Sequence, residues 1–444
     1  MKFIFADSID VVDPNYDFVA DRHGPGRKVH WDDVYPHEIL GYAPYDGILV
    51  SRATVGDRGI KGKYTDAQAM RFQRLGARAF LRLDRPKLSH LAIFGDCGAF
   101  SYANEEEPPF TPDDTLAFYD GAGFTHGCSV DHIIFDHDAD VRGMDGGSEE
   151  ARRRFDLTLE NADAFLRASH HMSGRFTPLG VIQGWSPGSM AEAARRLVAM
   201  GYEYLAVGGM VPLKADQIRL CLQAIRAVIP DRIRLHVLGF AKANEISSFV
   251  PYGITSFDTS SPLIRAFKDK KQNYYLPDGP GKLRYYTAVR VPQSLENLQL
   301  QRLVRKGVFR AEELTRLERD ALNLLRAYDR DEASLEDTLA AILAYNAPLA
   351  LGKPYEDCRT DKAMQTLARQ YVETLSDRPW RRCPCAICQS ASIEVVIFRA
   401  SNRNKRRGIH NLAVYKALID QLDSSSADHR NDQIDLFGRQ SAAE

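Results

Sequence analysis

Cysteine is scarce in this chain, seven in 444 residues. Four of them, Cys97, Cys128, Cys221 and Cys358, stand far from any other, which is the usage of a protein kept in a reducing compartment. Neither sign of charge dominates: 58 Lys and Arg against 59 Asp and Glu leave a net charge of −1. The chain is therefore no polycation, and any contact with nucleic acid must come from local basic patches. No apolar run reaches the roughly 18 residues of a membrane span. The opening Met1-Lys-Phe-Ile-Phe-Ala-Asp7 meets an acid too soon for a signal peptide. A phosphate-cradling P-loop and a dinucleotide fingerprint are both missing, as are internal repeats and extended low-complexity tracts. These absences lead us to expect a cytoplasmic protein without membrane partners. The 44% of apolar residues suffices for a sizeable core, and the length suits two or three domains or a large α/β barrel with an appendage.

The remaining cysteines are concentrated. Cys383, Cys385 and Cys388 fall within one short segment, and His410 follows. Three thiolates and an imidazole at such spacing complete a tetrahedral Zn²⁺ shell. Four protein ligands leave no open position for water, so one structural zinc per chain is expected and the chemistry must lie elsewhere.

Between residues 46 and 260 short apolar runs alternate with amphipathic stretches. The strand expectations are Gly47–Ser51, Leu91–Gly95, His132–Phe135, Leu179–Ile182, Tyr204–Val207, Arg234–Leu238 and Ile254–Phe257, with Lys2–Phe5 as an eighth. Apolar on both faces, they read as buried parallel strands. Ser186-Pro187 marks a helix start before Met190, Ala194 and Leu197, and Gly201 marks its end. The pattern predicts a (β/α)₈ barrel, with a doubly wound open sheet as the alternative. The expected divisions are a barrel over 1–290, a helical extension over 291–377, a zinc-binding subdomain over 378–422 and a flexible tail over 423–444.

In a parallel barrel, residues at the carboxyl ends of the strands point into the mouth. Here those positions carry Asp96, Asp136, Gln183, Gly208-Gly209-Met210 and Asp258. A single Asp after a strand is commonly a turn former or helix cap, but five polar ends around one rim have a chemical logic. Two carboxylates flanking a sugar can divide glycosidic cleavage between a nucleophile and a proton carrier. A third carboxylate, an amide and exposed glycine backbone match the donor and acceptor edge of guanine, and Phe100 can cover the face of the base.

Those motifs resemble the tRNA-guanine transglycosylase superfamily of zinc-bearing barrel enzymes, from about residue 90 to 415. Asp96-Cys-Gly-Ala-Phe100 is similar to the family's Asp-Ser-Gly-Gly-Phe. Phe135-Asp136, Val181-Ile-Gln183-Gly184 and Val207-Gly-Gly-Met210 match its base-recognition segments in order, and Cys383, Cys385, Cys388 and His410-Asn411 its zinc motif. The resemblance implies Asp258 as the nucleophile of a covalent glycosyl-enzyme and Asp96 as the acid/base group. It further implies Asp136, Gln183, Gly209 and Met210 on the purine edge, with Phe100 and Leu238 on its faces. Cys97, Ala99 and Ser101 depart from the family pattern. So does Ser256-Phe-Asp-Thr-Ser-Ser-Pro262, which lacks the Pro-Thr-Arg after the nucleophile of bacterial queuosine enzymes. No archaeal-type RNA-binding appendage follows. The look is that of the DNA-modifying branch, which inserts 7-cyano-7-deazaguanine into DNA; a tRNA substrate is the alternative. The partners so implied are DNA, the free 7-deazaguanine base and an ATPase of the modification system, with a homodimer left open.

Two basic stretches are candidates for phosphate contact: Arg399, Arg403, Lys405, Arg406 and Arg407 ahead of His410, and Lys270 and Lys271 with the tyrosines at 274, 275, 285 and 286. The competing readings are an ordinary solvated loop for the first and amphipathic strand packing for the second. His132, Asp136, His137 and Asp138 also admit a metal-dependent hydrolase. A non-catalytic nucleic-acid-binding relative is the remaining alternative, against which the pairing of Asp96 with Asp258 speaks.

Overall fold

The computed structural model describes residues 1–56, 60–141, 143–172, 175–240 and 242–440. Eight parallel strands close into a barrel in chain order: β1 (Lys2–Ala6), β2 (Gly47–Ser51), β3 (Ala92–Asp96), β4 (His126–Cys128), β5 (Thr177–Ile182), β6 (Tyr204–Val207), β7 (Arg234–Val237) and β8 (Ser256–Thr259). β1 pairs with both β2 and β8, which leaves the barrel sheet without an edge. The runs at β5 and β6 form strands because no residue in them needs water. Ala206, Val207, Leu179 and Val181 are fully buried, as expected of a sheet covered on both faces. The helix Pro187–Met200 starts where the sequence signals it. Ser186 accepts a hydrogen bond from the Ser189 amide, and Gly201 takes the left-handed conformation (φ 111°) that ends the helix.

One strand differs from expectation. Residues 132–135 form no strand, and β4 is His126-Gly127-Cys128. The reason is steric. Gly127 pairs with Gly95 of β3, and the buried Tyr119 ring lies against both. A Cβ at Gly95 or Gly127 would come within 2.2 or 2.5 Å of that ring. Glycine is thus required where a strand search looks for β-branched side chains. The apolar Ile133 packs instead, outside any strand, with Cys97, Tyr102 and Phe110.

Contacts divide the chain into two units. One holds Met1–Ile9, Tyr45–Ser261 and the residues from Ile419 onward; the other holds Asp10–Pro44 and Pro262–Leu418. The division does not follow linear boundaries at 290 and 377, because the helices Ala311–Asp329, Leu335–Leu351 and Lys362–Asp377 share one core with the cysteine segment. Leu325, Ile342, Tyr371, Trp380, Cys388 and Ile397 all belong to that core. The helix Ser401–Gln440 runs into the range expected as a tail, and 441–444 lie outside the described residues. Among the described residues, no helix is long and apolar enough to cross a membrane.

Candidate active site and metal centre

A cavity of about 210 Å³ opens at the carboxyl ends of the barrel strands. Its lining includes Ser51 from β2, Asp96 from β3, Gln183 after β5, Gly208 and Gly209 after β6, Leu238 after β7 and Asp258 from β8. Asp96 and Asp258 thus meet in one cavity, which is what a two-carboxylate chemistry requires.

The two acids differ in surroundings. Burial raises the pKa of Asp96 to about 7, and the nearby charges of Asp131 and Asp258 add to the rise. The Gly98 amide and the Ser51 hydroxyl pull the other way. A carboxyl poised there can both give and take a proton near neutral pH. Asp258 is 5% exposed, and its Oδ1 accepts the Gly239 amide at 2.9 Å and faces His236 Nε2 at 3.2 Å.

The third acid in the cavity is Asp131, not Asp136. Ser129 prolongs the ladder past β4: its amide donates to the Leu179 carbonyl at 2.9 Å, and its Oγ accepts the Val181 amide at 3.0 Å. That extension delivers Asp131 to the rim. There its Oδ2 accepts Gln183 Nε2 at 2.7 Å and its Oδ1 accepts the Cys97 thiol at 3.0 Å. Burial pushes the pKa of Asp131 up, and the two donors oppose the rise. Asp136 is exposed and accepts Ser148 Oγ at 2.7 Å, beside a separate hollow of about 290 Å³. Asp131 stands just ahead of the expected strand His132–Phe135, so a strand placed too late puts Asp136 at the rim in its stead.

Gln183 reaches Asp131 because the next turn has no side chain in the way. A Cβ at Gly208 would sit 2.5 Å from Gln183 Nε2, and Gly209 adopts φ +71°. Phe100, 57% exposed, and Leu238 line the cavity. Met210 is fully buried and is absent from the wall.

The Cys383, Cys385, Cys388 and His410 ligand atoms lie within 4.8 Å of one another, all buried. The three sulfurs stand 3.4, 3.5 and 3.3 Å from His410 Nδ1. A tetrahedral ion with bonds near 2.3 Å to sulfur and 2.0 Å to nitrogen requires ligands roughly 3.5 Å apart, so the group fits a metal ion. His410 Nε2 donates to the Tyr275 carbonyl at 2.9 Å, which fixes Nδ1 as the ligating nitrogen. The Tyr274 ring stacks on the imidazole at 4.1 Å. Among the described residues this is the group of His, Cys, Asp and Glu close enough to share an ion. His132 turns away from the cavity lining, its Nε2 meeting the Glu105 carbonyl at 2.9 Å.

The basic segment before His410 is not a phosphate-binding loop. It is helical, and Arg403, Arg406 and Arg407 are at most 5% exposed. Arg403 donates through Nε to Glu394 at 2.8 Å and pairs with Asp21 and the Phe18 carbonyl. Arg406 donates to the Asp13 carbonyl at 2.7 Å. Arg407 donates to the Val395 and Ala266 carbonyls, and burial lowers its pKa to about 9. Lys405 is half-buried, its Nζ 3.3 Å from the Val11 carbonyl. Buried and turned toward internal acceptors, the three arginines cannot reach a phosphate. Arg403→Leu should accordingly destabilise the fold by about 3–5 kcal/mol, since Asp21 and Glu394 lose a buried partner. Urea denaturation measures this, and a variant as stable as the parent would refute it. Lys270 and Lys271 are exposed. The neighbouring Tyr274, Tyr275 and Tyr286 are core residues of the hairpin Tyr274–Pro277/Leu283–Tyr286, as the strand-packing alternative had it.

No family model matches the chain. Compared as a whole sequence, it is 42% identical over 431 residues to the DNA-guanine transglycosylase of Salmonella montevideo, a match covering 96% of this chain and 99% of that protein.

Proposed function

Because the chain belongs to the DNA-guanine transglycosylases, we propose that it exchanges guanine in DNA for 7-cyano-7-deazaguanine through a covalent intermediate on Asp258. The observation that carries this reading is the convergence of Asp96 and Asp258 on one cavity at the barrel mouth. Asp258 attacks C1′ of the nucleotide, and the C1′–N9 bond breaks with its electron pair passing to the purine. Asp96, protonated near neutral pH, supplies the proton that the departing guanine needs. The incoming deazapurine returns a proton to Asp96 and attacks C1′, which releases Asp258. One glycosidic bond replaces another, so the exchange itself needs no nucleotide hydrolysis.

Recognition falls to Asp131, Gln183 and the Gly209 backbone. The N1–H and exocyclic amine of guanine are donors, and a buried carboxylate accepts them. A base without those donors leaves the carboxylate unpaired, at a cost of about 1–3 kcal/mol. The target must leave the helix to enter so small a cavity, which costs a few kcal/mol when it is paired. Phe100 and Leu238 offer faces for the extruded ring.

The Cys₃His metal is zinc in this reading, the preferred ion for such a shell, and it supplies folding energy rather than chemistry. Cytoplasmic residence belongs to the same reading, supported by seven cysteines that form no disulfide. The experiment is incubation with labelled guanine or labelled 7-cyano-7-deazaguanine and either duplex DNA or tRNA. Label should enter DNA. Incorporation confined to tRNA would overturn the substrate assignment.

A further inference from the structure

Behind the nucleophile runs a chain of buried polar groups that the exchange as described does not use. Asp258 Oδ1 faces His236 Nε2 at 3.2 Å. His236 Nδ1 lies 2.5 Å from Ser256 Oγ, and Ser256 Oγ lies 2.6 Å from the Tyr204 hydroxyl. His236 and Ser256 are fully buried and Tyr204 is 3% exposed, in a barrel interior otherwise filled by Ile4, Leu49, Phe94, Leu179 and Val181. Polar groups in such surroundings are costly unless each is satisfied.

The direction of every bond follows from donor chemistry. A carboxylate oxygen accepts, so Nε2 of the imidazole carries the hydrogen and donates to Asp258. Nδ1 is then an acceptor and takes the Ser256 hydroxyl hydrogen. The serine oxygen in turn accepts from Tyr204, whose pKa is raised to about 12 by burial and which therefore keeps its proton. The imidazole plane is held as well. Phe94 stacks on it at 5.1 Å and stacks on His126 at 4.3 Å on its own account. With the Gly239 amide also on Oδ1, both contacts to Asp258 fall on one oxygen, and the other oxygen is left to attack.

We propose that His236, aligned by Ser256 and Tyr204, is a positioning residue that selects which oxygen of Asp258 attacks C1′. This deepens the exchange reading and rests on it. The chain moves no proton during the reaction. It holds one tautomer and one carboxylate orientation through formation and release of the glycosyl ester.

The test is single-turnover formation of the covalent enzyme–DNA adduct, with thermal melting of each variant alongside. His236→Phe should slow adduct formation about 100-fold, the penalty of a misaligned nucleophile, while KM for the incoming base stays unchanged. His236→Gln, whose side-chain amide can donate from near the Nε2 position, should recover most of the rate. An H236F enzyme that forms adduct at the parental rate overturns the proposal. So does H236Q that is no faster than H236F when both melt with the parent. If H236F fails to fold, H236Q decides alone, because near-parental adduct formation supports the proposal and a loss as large as that of Asp258→Asn overturns it. A parental enzyme that forms no adduct at all would instead fault the assignment of Asp258, and this inference with it.

Discussion

Asp258→Asn should abolish the covalent enzyme–DNA adduct and reduce base exchange on the order of 10⁴-fold or more, the scale seen when an enzyme loses its nucleophile. The substitution is nearly isosteric. The amide oxygen can still accept the Gly239 amide and His236 Nε2, which now hold Oδ1, so the cavity keeps its shape and the protein its stability. What disappears is the negative charge and, with it, the lone pair that the proposed attack on C1′ requires. Asp96→Asn differs in kind. It removes the proton supply and leaves the nucleophile, at a cost of about 10²–10⁴-fold. Denaturing gel electrophoresis of enzyme mixed with labelled DNA separates the two, and an adduct that persists in the Asp258 variant would move the nucleophile elsewhere.

Removal of the metal should unfold the second unit rather than silence the chemistry selectively. The three sulfurs and one nitrogen are buried in the same core as Leu325, Tyr371 and Trp380. Without an ion, the thiolates face each other with nothing to offset their repulsion. Structural zinc contributes about 10–16 kcal/mol in small zinc-binding peptides, which equals or exceeds the roughly 5–15 kcal/mol that separates most folded domains from unfolding. Cys385→Ser, or prolonged chelation, should therefore lower both the melting temperature and the metal content, which elemental analysis should put near one zinc per chain. A metal-free protein that melts like the parent yet has lost exchange activity would assign the ion to catalysis.

The barrel was legible because its strands are uniform in what they bury. β5 and β6 carry apolar side chains on both faces, and only a parallel sheet enclosed on both sides asks for that. The rim was legible for the same reason, since a polar residue directly behind such a run has nowhere to point but the mouth. β4 was not, because its identity rests on the Tyr119 ring fitting between Gly95 and Gly127. No local pattern records a notch cut by a residue from another element. Misplacing that strand exchanges the acid that lines the cavity, Asp131, for Asp136, which stands outside it.

The amino-acid order by itself determined the fold class, the two acids of β3 and β8 and the Cys₃His group, because each is written in short-range spacing. Tertiary structure decided which polar groups face water. Arg403 looks like a phosphate contact beside its neighbours in the chain. It became an internal strut through Asp21, 382 positions away, and through Glu394. Burial is set by partners distant in sequence, so a charge that reads as surface can be consumed inside. Likewise His236, in the sequence one more residue inside a strand, gains meaning only where the closing barrel brings it against Asp258.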